Sequence, residues 1–374
     1  MSAILEEHQE YMSLTGRYDR YSAAIEKVIK SGDVVADLGC GFGVLGIQCL
    51  EAGASQIYGI DHSDAIEIAR ESVKRAGLAD RYTCIRGSSF SAVLPEKVDV
   101  LICDHVGFFG VDYGIMEMVL DARRRFLKPG GRIVPRRITL MISAVQSPEC
   151  RAKVDFWDSG KAPAVYQWLS EQGVNTKYQY DFPGAQLCAQ PVTLGDIDLH
   201  SDIPENLSFS ATLLATRDAQ FDGLVGWFNC EIAEDVWMTN SPLDEQAIER
   251  PNAFFPCSEP FQVRAGDEIG ISIRVRQDAE TIAWTIRPPN GAPRQKMSTW
   301  QTRILAPQDL AENADTPLRL NTRGEAHKAI LALIDGQRTM AQIEDAMLAS
   351  HANLFSTETL LRRFVRQAMA KDTS

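Results

Sequence analysis

The chain has no apolar run long enough to cross a bilayer, and its first ten residues carry no signal-peptide pattern. The expectation is a cytoplasmic protein with no membrane span. Positive charge is also scarce. With 38 Lys and Arg against 50 Asp and Glu, the net charge is −12, which argues against nucleic acid or an anionic membrane as a partner. A basic peptide or a small cation stays open as a ligand. Paired cysteines are missing as well. The eight cysteines, at 40, 49, 84, 103, 150, 188, 230 and 257, form no C-x-x-C motif and have no histidine at ligand spacing. That pattern excludes a metal site of the usual kind and leaves reduced, buried thiols. Low-complexity tracts and internal repeats are absent. Over 374 residues with 45% hydrophobic and 24% charged composition, two or three globular domains are expected.

What the chain does have is concentrated in residues 34–61. A β-branched run, 34–38, leads into a turn containing Gly39, Gly41 and Gly43. An apolar segment of helical length, 44–52, stops at Gly53, and a second β-branched run, 56–61, ends in Asp61. This is a β-α-β unit with a glycine-rich first turn. The glycines let backbone approach a ligand and free the helix N-terminus, while an acid at the carboxyl end of the second strand can accept both hydroxyls of a ribose. The dinucleotide fingerprint is Gly-x-Gly-x-x-Gly, and here the third glycine comes one residue early. Asp37, just before the turn, would repel a pyrophosphate but suits a cationic or hydroxylated ligand. Together these favour S-adenosylmethionine (SAM) over NAD. A tight turn without a ligand is the alternative, and the full strand–turn–helix–strand–acid context outweighs it.

Upstream, residues 8–30 read as one helix, with Tyr21, Ile25, Val28 and Ile29 at helical spacing. Arg17 in that helix can reach a carboxylate in the crevice or simply be solvated. Downstream, Ser63 or Asp64 caps a helix to Ala76, followed by a strand at 81–87 and a Ser-rich loop at 88–91. The next strand, 98–103, ends in Asp104 and His105, at the strand end where chemistry is expected, although a structural histidine is an equal reading of His105. A helix at 116–126 and a Lys128-Pro129-Gly130-Gly131 turn lead to a strand at 132–135. From residue 138 the pattern is all-β, with strands at 138–145, 195–199, 207–215, 224–232, 267–276 and 281–287. An insert at 148–180, carrying Phe156, Trp157, Tyr166 and Trp168, reads as an interaction arm. Residues 296–300 superficially match a synthetase signature, but no corresponding fold surrounds them. A polar linker at 307–317 precedes a helical stretch, with Thr322, Thr339 and Ser356 or Thr357 as caps.

These motifs resemble those of the protein arginine methyltransferases over roughly the first three hundred residues. His8 through Arg17 to Tyr21 matches the family's helix over the cofactor, Val35 to Gly43 its first motif, and Val98 to Gly107 with Ala122 to Pro135 its later ones. Gly226-Trp227-Phe228 resembles a barrel strand of the family. The resemblance implies an α/β Rossmann-like SAM-binding domain (1–136), a β-sandwich or barrel domain (137–306) with a dimerisation arm near 148–180, and a small helical domain (318–374). It implies a homodimer with SAM as cofactor. His8, Arg17, Asp37, Gly39, Gly41, Gly43 and Asp61 would bind it, with Arg17 on the methionine carboxylate and Ser89 or Phe90 at the adenine. The last helices resemble the small peptide-binding protein of pyrroloquinoline quinone biosynthesis, chiefly in residues 320–324 and 333–336.

Departures from the family pattern bear on the acceptor. Two glutamates flank a hairpin loop in the family and hold the guanidinium between them. Here the first position is Asp104 and the second Tyr113, with Asp112 beside it, and the Thr-His-Trp loop is replaced by residues 251–256. A carboxylate clamp supplies charge-assisted hydrogen bonds worth about 1.5–3 kcal/mol each, and Tyr113 offers only a neutral one and a ring face. The expectation is an enzyme without a metal. It would methylate a nitrogen, or less readily an oxygen, of an amino acid, peptide or natural-product intermediate. Asp104 would orient the acceptor and His105 or Asp112 would take its proton. A true arginine N-methyltransferase with an atypical clamp, and a non-catalytic SAM-binding scaffold, are the alternatives.

Overall fold

The structure, a computed structural model, describes residues 2–305, 317, 319–355 and 357–372. The chain divides into two compact units, Met1–Arg303 and Ile304–Ser374.

The first unit opens with five parallel strands: β1 (Val34–Leu38), β2 (Gln56–Asp61), β3 (Tyr82–Arg86), β4 (Val98–Cys103) and β5 (Leu127–Val134). They lie in the order β3-β2-β1-β4-β5, so the direction of winding reverses between β1 and β4. A crevice opens there at the carboxyl ends of the strands. Every residue of β1 is buried and β4 is nearly so, as expected of parallel strands covered on both faces. The covering helices are α1 (Ser2–Ser13), α2 (Thr15–Val28), α3 (Val44–Glu51), α4 (Ala65–Arg75) and α5 (Ile115–Arg125). The single helix expected over 8–30 is therefore two. Leu14, with ψ at 70°, leaves the helical region between them, and Gly16 beside it has low helix propensity. The Lys128 to Gly131 turn falls inside β5 as a register irregularity rather than before it.

Ten further strands follow. They are β6 (Arg137–Val145), β7 (Tyr178–Tyr180), β8 (Val192–Asp198), β9 (Asn206–Leu214), β10 (Ala219–Ala233), β11 (Val236–Thr239), β12 (Asn252–Val263), β13 (Glu268–Arg276), β14 (Ile282–Arg287) and β15 (Gln295–Ser298). One antiparallel sheet runs β7-β12-β10-β6-β8 with β11 on β10, and another runs β15-β14-β13-β9. The 148–180 insert is built of α6 (Pro148–Val154), α7 (Ser170–Val174) and short 3-10 turns between them. Its last residues do not interrupt the sheet but join it, as β7 pairs with β12. The core of the parallel sheet is continuous with that of the antiparallel sheets. Phe109, fully buried, is the hinge pin of that continuity. Its ring fills the space above Gly226 of β10, where a Cβ would meet it at 2.5 Å, and packs edge-on to Phe255 at 5.1 Å.

The second unit contains α8 (Thr322–Leu333), α9 (Met340–His351) and α10 (Glu358–Asp372) around Ile330, Ile343, Met347, Leu361 and Val365. Asn321, not Thr322, caps α8, accepting from the Gly324 N–H at 2.8 Å. Thr339 and Gln342 form a reciprocal capping box on α9. Of the polar stretch 307–317 only Pro317 is among the described residues, and Leu318 and Ser356 also lie outside them. All eight cysteines are free. Among the described residues no helix is long and apolar enough to cross a membrane.

Candidate functional site

Asp37, at the end of β1, reaches under the glycine turn and accepts the Gly46 N–H of α3 at 3.0 Å. A carboxylate at a helix N-terminus is favoured by the exposed amides there. Burial nevertheless pushes the Asp37 carboxyl up to about 7; the Gly46 amide and the Tyr82 hydroxyl oppose that rise and the charge of Asp61 adds to it. From the end of β2, Asp61 ties down the other side of the turn. Its Oδ2 accepts the Gly41 N–H at 2.9 Å, and its Oδ1 accepts the Ser63 N–H at 2.8 Å and the Ser63 hydroxyl at 2.7 Å. The turn itself needs glycine. Gly39 and Gly41 have φ of +66° and +52°, and a Cβ on them would lie 2.0 Å from the His105 ring and 2.6 Å from the His8 ring.

These groups surround a cavity of about 340 Å³ at the winding reversal. His8, Arg17, Asp37, Gly39, Gly41, Asp61, Asp104, His105 and Tyr113 all line it. The α1 and α2 helices roof it, with His8 stacked on Phe42 at 4.0 Å and the Arg17 guanidinium over the Tyr11 ring at 4.8 Å. Two buried or half-buried carboxylates beside a glycine turn, one of them held from ionising by burial, fit a ligand with ribose hydroxyls and a positive charge. SAM has both, and its sulfonium supplies the transferable methyl group.

Not every expected residue reaches the cavity or is free within it. Arg17 is bound to Asp104, with Nε donating to Oδ1 at 3.0 Å and Nη2 paired to Oδ2. Asp112 is turned away. Its side chain is 1% exposed, is ion-paired with Lys177 and accepts the Phe109 N–H at 2.8 Å, so it braces the loop instead of facing an acceptor. Phe90 is 46% exposed and the Ser89 carbonyl is held by Arg125, and neither lines the cavity. Gly43 underlies the turn against Tyr82. Residues 251–256 are mostly strand, the start of β12, rather than a loop. His105 is close-packed, with Nδ1 3.6 Å from the Cys103 sulfur, and burial pushes its imidazole below the ordinary value. It is therefore uncharged at neutral pH. Sequence reasoning missed Tyr11, which stacks on Arg17, and Arg250, which lies against Tyr113. Arg250 gave no signal in the sequence, since nothing in a lone arginine before a proline marks it.

Comparison with known proteins fits this geometry. A methyltransferase-domain family matches residues 29–172. Protein arginine N-methyltransferase 6 of Danio rerio is 30% identical over 257 residues, covering 64% of this chain and 70% of that protein. The chain belongs to the protein arginine N-methyltransferase family. It is a SAM-dependent methyltransferase. Protein arginine N-methyltransferase 1 of Schizosaccharomyces pombe is 28% identical over 247 residues, 63% of this methyltransferase and 71% of that one. Among solved structures, the Trypanosoma brucei PRMT1 enzyme-prozyme heterotetrameric complex with AdoHcy superposes with a TM-score of 0.67 at 20% identity, over 78% of this chain and 97% of that one. Arabidopsis thaliana protein arginine methyltransferase 10, in an open conformation, gives 0.68 at 21% identity, over 79% and 98%. These two show the fold. The resemblance of residues 318–374 to the pyrroloquinoline quinone peptide-binding protein finds no support in the comparisons, and the family match at 29–172 does not reach it.

Proposed function

We propose that this methyltransferase acts on a nitrogen of an amino acid, a short peptide or a related metabolite rather than on arginines of Gly-Arg-rich proteins. The observation that carries the reading is the absence of a free carboxylate for a guanidinium. Asp104 is neutralised by Arg17, Asp112 by Lys177, and Tyr113 stands where the family's second acid would be. A guanidinium leaving water would forgo at least one charge-assisted hydrogen bond, about 1.5–3 kcal/mol. SAM, when bound, supplies an electrophilic methyl group. The chain's part is to hold the cofactor through Asp61 and the glycine turn, and to aim the acceptor with Tyr113 and with Asp104, whose charge stays matched by Arg17. The neutral imidazole of His105 then takes the acceptor's proton.

A second reading, arginine N-methylation with an atypical clamp, draws on the names of the relatives, all arginine N-methyltransferases at about this identity. Transfer of labelled methyl from SAM separates the two. The expected result is little or no label on a Gly-Arg-rich peptide and clear transfer to members of a panel of free amino acids and short peptides. Robust methylarginine would overturn the reading. Turnover on neither, with SAM still bound, would favour a non-catalytic scaffold. Asp104→Asn should lower turnover by about tenfold to a hundredfold, the loss of one charged hydrogen bond, while changing SAM affinity much less.

A further inference from the structure

Arg250 follows Glu249 in the loop that leads into β12, and it is held there by a web of amide bonds. The Asn240 side chain donates to the Phe108 carbonyl at 2.9 Å and to the Pro251 carbonyl at 2.8 Å. Asn252 donates in turn to the Asn240 carbonyl at 2.6 Å, and the Arg250 N–H bonds the Ile248 carbonyl at 2.7 Å. The loop carrying Arg250 and the loop carrying Phe108 and Tyr113 are thus fastened together beside the cavity.

The guanidinium of Arg250 is buried, with 8% of the residue exposed. It lies 5.0 Å from the Phe108 ring centre and 5.4 Å from that of Tyr113, which lines the cavity. Among the described residues it makes no ion pair, and its Nη1 has no hydrogen-bond partner. Cation–π contact returns less than the burial of a charge with no counter-ion costs. The other charges near the loop are already matched, Arg17 by Asp104 and Lys177 by Asp112. Arg250, directly against the cavity-lining Tyr113, is left as a positive charge with no counter-ion among the described residues, at the place where a guanidinium substrate would need a negative one.

We propose that Arg250 binds a carboxylate of the methyl acceptor, which is therefore an anionic or zwitterionic molecule of amino-acid type. This rests on the small-acceptor reading above and narrows it. The same guanidinium repels a cationic side chain, so it selects against arginine as well as for an acid. The cofactor's own methionine carboxylate is the other source of this chemistry. Arg17 lines the cavity but is paired with Asp104, and Arg250 lies against Tyr113 in the acceptor loop, so the affinity for S-adenosylhomocysteine is what separates the two sources.

The test uses the full chain loaded with S-adenosylhomocysteine and titrated calorimetrically with N-acetylglycine and with N-acetylglycinamide, which differ by the carboxylate. The acid should bind in the millimolar range and the amide should not. Arg250→Met should weaken acid binding by about tenfold or more, Arg250→Lys should retain part of it, and both should hold S-adenosylhomocysteine within about twofold of wild type. Equal binding of acid and amide, or binding of neither, would overturn the proposal. So would loss of S-adenosylhomocysteine affinity in Arg250→Met as large as the loss of acid affinity, since the carboxylate would then be the cofactor's. Thermal melting separates a packing role. Removing an unpaired buried charge should leave the melting temperature unchanged or raise it, and a clear fall with acid binding intact would also overturn the proposal. Arg250-dependent acid binding without transfer to any small acceptor would sink the small-acceptor reading, and with it the acceptor as the source of the carboxylate, while the carboxylate site at Arg250 would stand.

Discussion

Asp61 and Asp37 are both carboxylates of the glycine turn, and the structure gives them different work. Asp61 spends its lone pairs on the Gly41 and Ser63 amides and the Ser63 hydroxyl, so it braces the turn as well as facing the ribose position. Asp61→Ala should weaken SAM binding by more than about tenfold, ~1.4 kcal/mol or more, as read by calorimetry. Equal affinities would remove the ribose from this acid. Asp37 is a titration device. Its carboxyl stands at about 7 when the cavity holds no cation, because burial disfavours the charge. A folded-state value raised this far gives stability that is full below the unfolded value and lost as pH rises through about 7. A bound cation reverses that by drawing the carboxyl down. SAM binding should therefore release a fraction of a proton near pH 7 and tighten as pH rises toward about 7, then level off. Calorimetry in two buffers of different ionisation enthalpy measures the proton, and Asp37→Asn should abolish it. His105 shifts the other way. Its lowered imidazole makes protonation costly to the fold, so stability is lost as pH falls below the ordinary histidine range.

At the scale of elements, α3 packs on the sheet through a glycine. A Cβ on Gly46 would lie 2.7 Å from the Tyr82 ring and 2.9 Å from Ile57, and both of those side chains are locked in the core. Alanine has the better helix propensity by about 1 kcal/mol, while overpacking costs about 1–3 kcal/mol. The second effect should win. Gly46→Ala is expected to lower the denaturant midpoint by a net amount on the order of 1 kcal/mol. A stabilised variant would show that Tyr82 can move aside. The longest of the strands that sequence reading missed is β12. Pro256 and Pro260 within it argue against a central strand, yet it pairs with β10 on one side and β7 on the other. Pro260 falls in the register shift against β10 between Phe221 and Gly223, and Pro256, opposite Gly223, lies past the end of the β7 pairing, so neither breaks a two-sided ladder.

For the whole molecule, the exposed apolar side chains of the insert are the feature that asks for a partner. Val165, Tyr166 and Trp168 are 71%, 48% and 54% exposed along one short 3-10 segment. Three such residues within four positions are more than scattered surface apolarity explains. A homodimer with isologous contacts through this arm is expected, of twice the 41.5 kDa chain mass by light scattering. Tyr166→Asp together with Trp168→Asp should return the mass to that of the single chain. A wild-type mass already near 41.5 kDa at micromolar concentration would exclude the dimer.

The sequence by itself determined the parallel half of the protein and the glycine turn with its two acids. The reason is that these depend on local order. A buried run, a glycine turn and a terminal acid lie within residues 34–61, and their hydrogen bonds close among themselves. The caps of α9 were legible for the same reason. Only the tertiary structure decided the acceptor end. Asp112 left the cavity because Lys177, 65 residues away, claimed its charge, and Arg17 and Asp104, 87 apart, claimed each other's. Arg250 was brought against Tyr113 from a loop fixed by Asn240, with no local pattern to announce it. Which carboxylate is free, and which cation is left unpaired, is settled by distances between remote side chains. Spacing along the chain does not encode those distances.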